Sequence, residues 1–230
     1  LEINNFNHKF LIFDENIDNY NFKNKNYIYL LNPHDFIPVG IHSNIISLEK
    51  YNICHKNSVF FMYNFCSYLP IIKQLTSLFD FKNIEYNNIV NTIKDKKNVV
   101  MYLGGREEGI LNIDNLSNKS LISIKNKTGI FKIALINGID IIPVYLFFNK
   151  NITNNNKNNL IYNLFINFIN FYLYKPTLTV VGKPIKVNKI INPTYDDILI
   201  LRNKYINFLK YLFDKYKILF KWSEKELEIY

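Results

Sequence analysis

Six runs of apolar and aromatic residues, near 27–31, 58–63, 98–103, 120–125, 139–147 and 177–182, constrain how this chain can fold. Between several of them the apolar spacing changes to three and four, the period of a helix with one buried face. Segments 69–79 and 87–96 follow that spacing. Over 128–137, Ile130, Phe131, Ala134 and Leu135 trace one face, and Gly138 supplies a natural stop. Strands alternating with helices predict an α/β sandwich, a largely parallel mixed sheet flanked by helices. A chain of 230 residues suits one domain with a sizeable core, spanning 1–230.

The clearest helix is expected over 195–220. Ile198, Leu201, Tyr205, Phe208, Leu212, Tyr216 and Leu219 keep steps of three and four and form a core-facing stripe. Thr194 is placed to cap it with Asp197 three residues on, and Lys215, Lys217 and Lys221 suit its carboxyl end. Its role reads as structural. Residues 149–159, dominated by asparagine and lysine, read as an exposed low-complexity loop. In 160–174, Asn163, Asn167 and Asn170 share one face of an aromatic and aliphatic helix, either a core helix or an interfacial membrane helix.

Composition excludes several classes. With 48% apolar and 16% aromatic residues the chain is far from disordered. Cys54 and Cys66 are too few for a disulfide framework or zinc site and read as buried thiols in a reducing compartment. The histidines are dispersed, and neither a P-loop nor a G-x-S-x-G elbow occurs, so no metal is expected. The net charge of +9 comes mostly from scattered lysines, with arginine only at 106 and 202. Nucleic-acid binders concentrate arginine on one face, so no nucleic acid is expected. An anionic membrane or a phosphate-bearing ligand suits the charge better. No stretch reaches the roughly 18 to 20 apolar residues that span a bilayer, nor is there a cleavable signal sequence of the usual form.

Two strand ends carry the chemistry. The 27–31 run leads into Asn32-Pro33-His34-Asp35-Phe36-Ile37-Pro38-Val39-Gly40. An imidazole with an ordinary pKa of about 6.5 is suited to draw a proton from an alcohol, whereas His8, His42 and His55 lack a comparable setting. The 98–103 run leads into Gly104-Gly105-Arg106-Glu107-Glu108. Its glycines let backbone or ligand approach closely, its carboxylates can orient His34, and its guanidinium can hold phosphate. A base and an acid at the mouth of an α/β sheet point to an enzyme site.

The order of these motifs resembles the type 2 diacylglycerol acyltransferase family, which includes monoacylglycerol, wax-alcohol and sterol acyltransferases. The segment 32–40 is similar to the Glu-Pro-His-Ser form, followed by Leu-Pro-Ile-Gly, of its plant-like members, with Asn32 and Asp35 at two differing positions. Gly104-Gly105-Arg106-Glu107-Glu108 matches the family's Gly-Gly-x-x-Glu, with Glu108 in the carboxylate position. Lys127-Thr128-Gly129-Ile130-Phe131 stands where the family has Arg-Lys-Gly-Phe, followed by a helix, Gly138 and Ile142-Pro143-Val144. Val180-Val181-Gly182-Lys183-Pro184-Ile185 resembles its Val-Val-Gly-x-Pro-Ile, and Arg202 replaces a histidine of its last helix.

That resemblance implies a glycerolipid-acyltransferase-like fold forming a single acyltransferase domain, with the family's N-terminal membrane hairpin absent or truncated. It implies transfer of a fatty acyl group from acyl-CoA, a co-substrate rather than a cofactor, to the hydroxyl of a neutral lipid, foremost diacylglycerol. Monoacylglycerol, a wax alcohol or a sterol is the alternative acceptor, and a catalytically inactive lipid- or membrane-binding relative the alternative of another class. His34 is the expected base and Glu108 its orienting acid, with Asp35 and Glu107 as further acids. Gly104 and Gly105 supply backbone N–H groups to an oxyanion, and Arg106, Lys127 and Lys132 hold CoA phosphates. The expected partners are acyl-CoA, the lipid acceptor and a membrane surface at the cytoplasmic face of the endoplasmic reticulum or a lipid droplet. Assembly into an oligomer is left open.

Overall fold

The computed structural model describes residues 9–16, 25–33, 57–62, 80–105, 108, 119–148 and 177–230. The expected helices at 69–79 and 160–174 and the loop at 149–159 lie outside these residues. So do Cys54 and Cys66, and His34, Asp35, Arg106 and Glu107 of the two motifs.

Seven described strands form the main sheet. In chain order they are β1 (Lys9–Phe13), β2 (Ile28–Asn32), β3 (Ser58–Met62), β4 (Phe81–Asn83), β5 (Asn98–Tyr102), β7 (Ile141–Phe148) and β8 (Thr177–Val181). Their spatial order is β1-β8-β7-β2-β5-β3-β4, and every pairing is parallel except that of β7 with β8. This is the mixed, mostly parallel α/β sheet that the alternation of patterns implies. β4, three residues long, is too short to be read from sequence, and β1, Lys9–Phe13, lies outside the six apolar runs.

One expectation changes. The 120–125 run supplies β6 (Lys119–Ile122), which does not join the main sheet but pairs in parallel with β9 (Glu226–Ile229). A four-residue strand near the chain's end gives little sign of its partner.

Three described helices are α1 (Tyr86–Lys94), α2 (Gly129–Asn137) and α3 (Tyr195–Tyr216). They pack on one face of the sheet, against Ile28, Leu30, Met101, Tyr145 and Val180. The alternate residues Tyr29, Leu31, Val100, Tyr102 and Val144 are equally buried on the other face, to which no described helix contributes. The central strands are thus buried on both sides, as parallel strands are.

The helix ends follow from local chemistry. Gly138 closes α2 in the left-handed conformation at φ 64°, where a Cβ would also press on Lys189. At the start of α3 the Thr194 hydroxyl accepts from Asp197 N at 3.2 Å, and Asp197 Oδ2 accepts from Thr194 N at 2.8 Å, a complete capping box. The stripe on α3 is broader than its spacing suggests, since Leu209 and Phe213 are buried and Phe208 only partly so. The helix stops four residues early, in a 3₁₀ turn over Lys217–Phe220. The tighter turn brings Phe220 and Trp222 onto Phe147, with ring centroids at 6.1 and 5.6 Å. No helix among the described residues is long and apolar enough to cross a membrane.

The register of β2 on β7 is pinned from below by Asp140. Its backbone carbonyl accepts from Ile28 N at 3.0 Å, and its carboxylate accepts from Val187 N at 2.9 Å and from Lys25 Nζ at 2.7 Å. Burial pushes this carboxyl up, but the Lys25 and Val187 hydrogen bonds and the Lys25 and Lys186 charges outweigh it, leaving the pKa below its ordinary 3.8. A depressed carboxyl stabilises the fold above its unfolded pKa and ceases to as pH falls through the folded one. Asp140→Asn is therefore expected to cost about 1–3 kcal/mol at neutral pH by urea unfolding. The gap to wild type should hold down to pH near 4 and close below it.

Candidate active site

β2 is the central strand, and its neighbours on both sides run parallel to it. Leu31 is in register with Tyr102 of β5 and Val144 of β7, and Asn32 with Tyr145. The chain leaves β2 toward β3 on one side and leaves its neighbour β7 toward β8 on the other. Neighbouring strands whose connections depart in opposite directions form the topological switch point of such a sheet, the usual place for a ligand crevice. His34 follows two residues after the end of β2, and Gly104-Gly105 two after the end of β5.

The two glycines answer different demands. A Cβ on Gly104 would sit 2.6 Å from Cβ of Glu108 and overlap its carboxylate, so the acid is folded onto the Gly104 backbone. Gly105 has φ 60°, which disfavours any residue with a side chain. The spacing Gly-Gly-x-x-Glu is thus a packing unit: a close approach, a left-handed turn and an acid returning over the first glycine.

Glu108 is fully buried. Burying a carboxylate is costly unless donors compensate it, and Ser123 N donates to its Oε2 at 2.9 Å. Ser123 directly follows β6, and the backbone around it is held by β9. Tyr230 N donates to Ile122 O at 2.8 Å, and Ile124 N and Lys125 N donate to Tyr230 O. Arg202 of α3 donates to Lys125 O as well. The small sheet thereby positions the N–H that holds the acid.

Around Glu108 lies a buried polar belt on the helix-facing side. Tyr205 donates to Asn32 Oδ1 at 2.6 Å, with Leu30 O at 3.3 Å. Tyr145 OH shares a hydrogen bond with Ser120 Oγ at 2.8 Å. Burial and then the negative charge of Glu108 push the Tyr205 hydroxyl well above its ordinary pKa. Burial and Glu108 likewise raise Tyr145, against the lowering effect of its bond to Ser120. Both tyrosine hydroxyls are therefore neutral. Asn32 Nδ2 has no hydrogen-bond partner among the described residues.

Of the expected site residues, Gly104, Gly105 and Glu108 come together. Lys127 is half-buried just before α2, where its N donates to Ile124 O at 2.8 Å, and Lys132 is exposed on the first turns of α2. Tyr205 and Tyr145 are additions. Tyr205 reads as one more core position of α3, yet it reaches the last residue of β2. The available signal is its hydroxyl, which requires a partner once buried.

A sequence model for the diacylglycerol acyltransferases matches residues 12–229. The chain belongs to the diacylglycerol acyltransferase family. It is 26% identical to diacylglycerol O-acyltransferase 2 of Dictyostelium discoideum over 239 residues, covering 90% of this chain and 69% of that protein. It is 26% identical to the human protein of the same name over 154 residues, and 30% to that of Danio rerio over 157, each match covering 56% of this chain. Those matches span only 39% and 42% of the human and Danio proteins.

Substitutions test the packing unit and, separately, the bond from Tyr205 to Asn32. Gly104→Ala should destabilise the protein by about 1–3 kcal/mol through overpacking, and by much less when Glu108→Gly, which removes the whole opposing side chain, is also present. Equal costs in both backgrounds would show that the carboxylate does not lie over Gly104. Tyr205→Phe should lower the urea-unfolding free energy by about 1–3 kcal/mol, because Asn32 Oδ1 is left buried and unpaired.

Proposed function

We propose that this chain transfers a fatty acyl group from an acyl-CoA thioester to the free hydroxyl of diacylglycerol, giving triacylglycerol and free CoA. The observation that carries the reading is the fully buried Glu108 carboxylate, locked over Gly104 at the strand pair whose other member leads into His34. Family membership supports the same reaction.

His34 takes the acceptor's hydroxyl proton as the oxygen attacks the thioester carbonyl. Backbone N–H groups at Gly104 and Gly105 hold the oxyanion of the tetrahedral intermediate. Its collapse breaks the carbon–sulfur bond, and the departing CoA thiolate recovers the proton from His34. Glu108, with Asp35 or Glu107 as alternatives, orients the imidazole and balances its positive charge. Arg106, Lys127 and Lys132 bind the phosphates of CoA. The acceptor resides in a bilayer, so the reaction takes place at a membrane surface, at the cytoplasmic face of the endoplasmic reticulum or a lipid droplet. The chain's net charge of +9 favours an anionic leaflet.

The test is to incubate membranes carrying the full-length protein with labelled acyl-CoA and a panel of lipid alcohols. Labelled triacylglycerol from diacylglycerol is the expected product. Esters formed only from monoacylglycerol, a wax alcohol or a sterol would reassign the acceptor, and vesicle binding without any ester would favour a silent relative. His34→Ala should lower the rate by about 10²–10⁴-fold. Glu108→Gln should cost less than that, and wild-type activity in His34→Ala would remove the base from the mechanism.

A further inference from the structure

Above β5 an open groove of about 740 Å³ runs between α1 and α2. Its walls are Ile89 of α1, Met101 of β5, Ile130, Ile133 and Ile136 of α2, and Ile191 of the loop leading into α3. Ile89, Met101, Ile130 and Ile133 form a buried floor without a polar side chain. The polar groups of the lining, Glu85, Tyr86, Lys132, Asn192 and Thr194, are all exposed and therefore belong to the rim.

The volume falls within the range of small-ligand sites, roughly 300–1,000 Å³. Aliphatic walls with no buried polar side chain among the described lining residues suit a flexible hydrocarbon better than a polar or charged ligand. Lys132 on the rim and Lys127 just before α2 favour a ligand whose headgroup is anionic, while Glu85 stands across the groove on the α1 side. Met101 of the floor lies three residues before Gly104 in the chain. We propose that this groove holds the fatty acyl chain of the donor thioester, its carbonyl end toward Gly104 and its methyl end toward Ile136 and Ile191. The inference rests on the acyl-CoA reading above and adds the place of the hydrocarbon.

A palmitoyl-CoA analogue with a diazirine near its methyl end tests it directly. After irradiation with the full chain in detergent micelles, mass spectrometry should find the label within 86–94, within 129–137 or at Ile191. Label confined to other segments would overturn the proposal. In parallel, Ile136→Trp should lower kcat/KM for palmitoyl-CoA relative to hexanoyl-CoA by about tenfold or more, and an unchanged ratio would also overturn it. The two readings fail separately. Turnover with label elsewhere removes the groove and leaves the acyltransferase reaction standing, whereas label in the groove without turnover does the reverse.

Discussion

The burial of one carboxylate organises this end of the molecule. Glu108 lies with no exposed surface against the Gly104 backbone, and Ser123 N donates to it at 2.9 Å. A charge in that position must be compensated wherever it faces. The surrounding architecture serves that requirement: a small parallel sheet fixes the donor, a glycine clears the space, and two buried tyrosine hydroxyls lie within reach of its field.

The elements that meet there are far apart in sequence. The end of β2 is held by Tyr205 of α3, and the backbone after β6 is held by Tyr230 and Arg202. Below the same strands, Asp140 joins the start of β7 to the start of β2. The long helix is therefore part of the site's support, although its pattern marks it only as a core helix. Asn32, which differs from the family motif, is fully buried and bonded to Tyr205, which gives it a structural reason for its place.

Much of the main sheet was legible because its central strands are dense apolar runs separated by helical spacing, as at 27–31, 98–103 and 139–147. The capping box at Thr194 and the stop at Gly138 were equally legible, since each depends on residues close in sequence. What could not be read were the partners of short strands. Nothing in Lys119–Ile122 announces that it pairs with Glu226–Ile229. Tyr205 shows the same limit: its spacing reports a buried position, while its bond to Asn32 depends on a contact 173 residues away. In Gly-Gly-x-x-Glu the pattern was visible, but the reason for the first glycine required the returning side chain of Glu108.

The account stands on an electrostatic link between the acid at 108 and the imidazole at 34. Proton NMR titration of the four histidines in wild type and in Glu108→Gln measures it, with His34→Ala to assign the resonance. A nearby carboxylate favours the imidazolium, so the His34 pKa should fall by about one unit when the charge is removed, while the other three stay in place. An unchanged His34 titration would contradict the account.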